Sequence, residues 1–92
     1  MQKRLICTIH GRVQGIGFRW SVRELAAKLG VTGYVRNSED GGVHVVAEGA
    51  EETLEVLRAF CYRGPDGAKV TGVDVAEELA TGEFTHFEIR SR

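Results

Sequence analysis

Gly11-Arg12-Val13-Gln14-Gly15-Ile16-Gly17-Phe18-Arg19 is the stretch over which the chain changes period. Before it, residues 4–10 alternate around Leu5, Cys7 and Ile9, with Ile6 on the other face, which is a strand pattern. After it, Val22, Leu25, Ala26 and Leu29 recur at helical spacing, Glu24 stands four before Lys28, and Gly30 is placed to end the helix. The nine residues therefore join a first strand to a helix over about 19–29. Glycines at 15 and 17 take backbone angles closed to other residues and let main-chain N–H groups approach a ligand. The unpaired donors and dipole of the helix start point the same way, and Arg19 adds a planar, permanently charged fork for two phosphate oxygens. The expected ligand is a phosphoryl group. A plain glycine turn between strand and helix is the alternative. Against it stands a single arginine at a helix entrance, where the dipole disfavours a cation unless an anion is present.

Composition bounds the remaining choices. The 92 residues, 42% hydrophobic with one proline, make a single expected domain spanning 1–92. A chain of this size buries roughly two-thirds of its unfolded surface and holds a core without metal or disulfide. A net charge of −1 gives no basic field, so no nucleic-acid partner is expected. Met1-Gln2-Lys3-Arg4 is basic, but the apolar run behind it is too short for a signal peptide, and no membrane segment is expected. Cys7 and Cys61 lack metal-ligand spacing and read as small, buried, reduced side chains, which points to the cytoplasm.

The order of elements follows. Gly33-Tyr34-Val35 leads a second strand to Asn37, Asp40-Gly41-Gly42 turns it, and Val43, Val45 and Ala47 alternate with His44, Val46 and Glu48 in a third. A second helix over about 50–62 carries Leu54, Leu57, Phe60 and Cys61 inward, Glu51 and Glu52 in its first turn and Arg58 and Arg63 late, before Gly64-Pro65 stops it. Val70, Val73 and Val75 mark a fourth strand, and Phe84, Phe87 and Ile89 a last one, bridged by the glycine-containing stretch 77–83. The sum is βαββαβ with the final β in two pieces: a ferredoxin-like α+β sandwich, two helices on one face of a mostly antiparallel sheet.

That topology predicts which polar residues meet. Helix one descends about 15 Å from the glycine loop, and residues 32–37 climb about 17 Å back. Asn37 is thus expected at the same end of the sheet as Arg19. A neutral amide there can accept from a water and donate to it or to phosphoryl oxygens without adding negative charge beside an anion. Alternatively, Asn37 simply opens the hairpin turn.

These residues resemble the acylphosphatases, small hydrolases of the carboxyl-phosphate bond. The family's first motif, glycine-x-valine-glutamine-glycine-valine-glycine-phenylalanine-arginine, is similar to Gly11 to Arg19 with one conservative change at Ile16. Its second, glycine-aromatic-valine-x-asparagine before an acidic-glycine turn, resembles Gly33 to Asn37 and Asp40-Gly41. The likeness runs over essentially the whole chain, including Gly64-Pro65 and Phe87 to Ile89. It implies that Arg19 binds phosphate and Asn37 orients the attacking water, both as catalytic residues. Gln14, Gly15, Ile16, Gly17, Phe18 and Arg19 then form the phosphate-binding set, chiefly through backbone N–H groups. It implies no cofactor and no metal, an acyl phosphate as substrate, and inorganic phosphate as product and competitive inhibitor; a monomer is expected, though the sequence itself does not name the oligomeric state. A carboxylate departs readily without a general acid, so sparse machinery suffices. Trp20 and Tyr62 stand where family members vary, and no chemical role is assigned to them.

The remaining ionisable residues fit less well. His10 borders the loop but reads as a strand-end histidine, and His44 and His86 have no carboxylate or cysteine at ligand spacing. Glu51, Glu52 and Glu55 read as a solvated helix face, and charged residues generally as surface. Fold alone does not settle function, since the same topology hosts RNA readers and small-molecule regulatory domains. An RNA reader needs stacking aromatics on its central strands, and residues 43–47 have none. The stronger rival is a non-catalytic phosphate-binding module, which keeps Arg19 and the loop but has no need of Asn37.

Overall fold

The structure is a computed structural model that describes residues 2–91. Met1, which heads the basic start, and Arg92 lie outside the described residues. The elements run β1 (Gln2–Arg12), α1 (Phe18–Leu29), β2 (Thr32–Asn37), β3 (Val43–Ala50), α2 (Glu51–Arg63), β4 (Lys69–Leu79) and β5 (Phe87–Arg90). They form one sheet in the order β4-β1-β3-β2-β5, antiparallel throughout except where β5 runs parallel to β2. This is the ferredoxin-like α+β architecture.

Period decides the layers. Leu5, Cys7 and Ile9 of β1, Val35 of β2 and Val43, Val45 and Ala47 of β3 point to one face, where Val22 and Ala26 of α1 and Leu54, Leu57 and Cys61 of α2 close over them. α1 stops at Gly30, whose φ of 72° allows Val31 N–H to reach back to the Ala26 carbonyl at 3.1 Å and Gly30 N–H to that of Ala27 at 3.2 Å. The chain then re-enters the sheet at Thr32, which fixes how far α1 can descend.

Three sequence expectations change. The two pieces of the final β lie on opposite edges of the sheet, because β4 pairs with β1 whereas β5 pairs with β2. β4 continues to Leu79, so residues 77–79 are strand rather than connection, and Phe84 lies outside β5. The link 80–86 crosses the end of the sheet remote from the glycine loop, with the Phe84 ring against Tyr34, centroids 5.9 Å apart. Finally, Glu48 is no surface charge. It is 4% exposed, held by Arg4 Nε at 2.8 Å, Thr81 N–H at 2.9 Å, Thr81 Oγ1 at 3.2 Å and Gly82 N–H at 3.0 Å. Alternation placed it on the face away from the helices, and the crossing link, invisible to alternation, covers it.

Candidate active site

Between β1 and α1 the chain turns through two glycines in the left-handed region, Gly15 at φ 76° and Gly17 at φ 82°. Gly17 is the N-cap of α1 and offers no side chain to the helix start, nor is there an acid in the first turn. The first helical bond runs from Ser21 N–H to the Gly17 carbonyl, 3.0 Å. The N–H groups ahead of it, including those of Phe18 and Arg19, stand outside the helical ladder and are available to an anion. Phe18 anchors this start. Its ring is buried, lies 6.1 Å from that of Phe60, and fits against Gly64, where an added Cβ would come within 2.6 Å of the ring. Burying one such ring contributes about 1.5–3 kcal/mol, so the end of α2 braces the loop.

The β2–β3 turn forms the facing wall. Asp40 accepts from Ser38 Oγ at 2.7 Å and from Gly42 N–H at 3.1 Å, and these bonds, Ser38 first, hold its carboxyl below the usual carboxylate value. Gln14 then ties the two walls together: its Nε2 donates to the carbonyls of Ser38, 2.9 Å, and Gly42, 2.8 Å. The loop that turns into α1 is thereby pinned to the turn that follows Asn37. The side-chain oxygen of Asn37, Oδ1, is buried and has no hydrogen-bond partner among the described residues. A buried acceptor left alone costs about 1–3 kcal/mol, so it marks a place kept open for a donor.

Arg19 and Asn37 line one cleft of about 170 Å³, with Gly15, Gly17 and Phe18 behind them. Among the described residues nothing pairs with Arg19, which is half-buried at the positive end of α1. Among the described residues, an unpaired guanidinium, a bare helix start and a lining without carboxylates suit the cleft to an anion. Two members of the sequence-derived phosphate set do not line it. The amide of Gln14 is engaged by the turn, and Ile16 packs against the core. Both still contribute backbone to the loop. Three lining residues escaped the sequence reading: Val13, Trp20 and Ile89. Trp20 carried a signal, being a large apolar residue off the stripe of Val22, Leu25, Ala26 and Leu29. Ile89 carried none, since its place depends on the pairing of β5 with β2.

Other polar clusters suit different chemistry. A larger cavity of about 370 Å³ between α2 and the β1–β4 edge is lined by Glu51, Glu52, Glu55 and Glu77 beside Lys3, and its carboxylates repel a phosphoryl group. His10 meets Asp74 at 2.9 Å on the surface. Burial and then the Arg36 charge hold His44 below the ordinary histidine value, leaving it uncharged at neutral pH on the open face of the sheet. No group of three or more His, Cys, Asp or Glu among the described residues is arranged to hold a metal, and no helix among them is long and apolar enough to cross a membrane.

Comparison with known proteins meets this geometry. The acylphosphatase family model matches residues 5–89. The acylphosphatase of Methylococcus capsulatus is 51% identical over 87 residues, 95% of either chain, and that of Thermococcus kodakarensis is 51% identical over 74 residues, 80% of this chain and 81% of its own. The crystal structure of acylphosphatase from Bacillus subtilis superposes with a TM-score of 0.89 at 36% identity, covering 98% of this chain and 99% of that one. With a glycine loop, an unpaired arginine and an orphaned asparagine oxygen in one cleft, and with relatives matching along nearly its whole length, this chain belongs to the acylphosphatase family.

Proposed function

We infer that this chain hydrolyses the carboxyl-phosphate bond of acyl phosphates in one in-line, metal-free step. Arg19 and the backbone N–H groups of residues 14–19 hold the phosphoryl group, and Asn37 orients the attacking water. As a member of the acylphosphatase family, the chain is an acyl phosphate hydrolase. The division of labour is our reading. The observation that carries it is the buried Asn37 Oδ1, which among the described residues has no donor, in a cleft whose arginine is likewise unpaired among them. A module that merely binds phosphate needs the arginine and the loop. It has no use for a buried acceptor.

In the proposed step a water donates one hydrogen bond to Asn37 Oδ1, which aims its lone pair at phosphorus. The new O–P bond forms as the P–O bond to the acyl group breaks on the far side. The bonding pair leaves with the carboxylate, and the protons of the water pass to phosphate and solvent. Negative charge on the three equatorial oxygens is met by the guanidinium fork and the preorganised N–H donors, which need not rearrange as the charge shifts. Since a carboxylate leaves without protonation at neutral pH, no general acid is required. Inorganic phosphate, the product, competes for the same cradle. All the groups come from one copy of the chain, which suits a monomeric single domain. Two free thiols suit a reducing, cytoplasmic compartment.

The test is turnover of benzoyl phosphate against p-nitrophenyl phosphate, with and without EDTA. The acyl phosphate is cleaved far faster and chelator changes little. Equal cleavage of the phenolate ester, or loss of activity in EDTA, would overturn the mechanism.

A further inference from the structure

Five large apolar side chains are exposed among the described residues, and two of them, Trp20 at 59% and Ile89 at 39%, line the anion cleft. They reach it from different elements. Trp20 sits in the first turn of α1, off the buried stripe, and Cα–Cβ bonds in a helix lean toward its N-terminus, so the indole leans toward the loop rather than back over the core. Ile89 pairs with Val35 across the parallel β2–β5 ladder and follows Phe87 on the helix-side face, so this row runs from core to cleft. Among the described residues Arg19 is the only charged one in the lining. An acyl phosphate is one anionic end joined to one acyl end. The cleft answers with one cationic wall and one apolar rim.

We propose that Trp20 and Ile89 form the acyl subsite, a platform that selects acyl phosphates with a flat or branched apolar acyl group over small acyls and over acyls bearing a second charge. The proposal rests on the hydrolase reading above and adds the substrate class to it. Ring stacking on the indole, together with the aliphatic face of Ile89, shields the acyl group from water. Among the described residues the rim itself presents no cation to a second anionic group, so a doubly charged substrate gains nothing from Trp20 and Ile89.

The test uses wild type, Trp20→Ala, Trp20→Phe and Ile89→Ala with benzoyl phosphate and acetyl phosphate, and with benzylphosphonate and methylphosphonate as non-hydrolysable competitors. Wild type favours the benzoyl over the acetyl substrate, and benzylphosphonate over methylphosphonate. Trp20→Ala lowers both preferences by about tenfold, carried by KM and Ki rather than kcat, and Trp20→Phe restores most of the difference. Ile89→Ala gives a smaller loss in the same direction. Because the chain has a single tryptophan, its fluorescence shifts on binding benzylphosphonate and much less on binding methylphosphonate. Unchanged preferences in Trp20→Ala, or equal losses for both members of each pair, would overturn the acyl subsite. Failure of wild type to turn over either acyl phosphate would instead overturn the hydrolase reading, while the phosphonate pair would still report on the platform.

Discussion

Two buried side-chain oxygens sit at opposite ends of the sheet and are treated in opposite ways. Glu48, near the end of β3, is surrounded by donors from Arg4, Thr81 and Gly82. Asn37 Oδ1, level with Val43 at the start of that strand, has none among the described residues. The first arrangement lowers the energy of the folded chain, because each donor offsets part of the cost of removing a carboxylate from water. The second raises it, and a chain keeps such a feature where something other than folding needs it. One end of the molecule is built to be stable and the other, on the reading proposed above, to react.

The largest effects test the reactive end. Arg19→Ala lowers kcat/KM by about 10³ and weakens inhibition by inorganic phosphate, since the guanidinium grips the phosphoryl group both before and during reaction. Arg19→Lys recovers little because a point charge lacks the fork. Asn37→Ala lowers kcat by about 10², leaves phosphate inhibition intact and does not lower Tm. A fall in Tm for Asn37→Ala would erase the contrast by making Asn37 another stabilising residue.

The contrast also shows what was legible in the sequence. Gly15, Gly17, Arg19 and Asn37 were readable because a glycine loop is local and because rise per residue carries β2 back to the level where α1 began. Glu48, Gln14 and Ile89 were not. The burial of Glu48 depends on the link 80–86 crossing the sheet, the clamp of Gln14 on turn carbonyls that advertise no side chain, and the position of Ile89 on a parallel pairing between distant segments. Period reports which face a residue takes. It is silent on what later arrives to cover that face.

A middle-sized effect tests the stable end. Glu48→Gln keeps kcat/KM at 25 °C but loses about 1–3 kcal/mol of stability, read as a fall in Tm of roughly 4–8 °C per kcal/mol. For Glu48, burial opposes the charged form, but the Thr81 N–H, Arg4 and Gly82 N–H donors outweigh it, leaving the carboxyl below its ordinary 4.5. The linkage sign follows: this stability is fully present above pH 4.5 and is lost as the pH falls through the lower folded-state value. Wild type therefore loses Tm more steeply than Glu48→Gln below that pH. Parallel acid profiles for the two proteins would show that the donors contribute little.

The smallest effect lies between the two ends. Cys7 and Cys61 are free and buried in the core, and contact with Cys7, then burial, pushes the Cys61 thiol well up. Native alkylation at neutral pH is slow, and a Cys7→Ala, Cys61→Ala double variant keeps turnover within about twofold while losing a little stability to the smaller side chains. Loss of turnover in folded double variant would place chemistry in the core, where the contrast has none.

The parallel pairing of β5 with β2 also orders events in time. Residues 87–90 leave a ribosome after every other strand of this sheet, and until they do, the strand that ends in Asn37 has a neighbour on only one side and the cleft lacks Ile89. The loop and its arginine are made before β2–β5, whereas the wall that includes Ile89 is completed only by β5, the last strand of the sheet. Contacts between such distant segments also form late in folding, after the loop-closure cost has been met. A chain in which β5 has not yet paired with β2 thus presents the loop and Arg19 before it presents a complete cleft, and on our reading hydrolysis waits for that pairing.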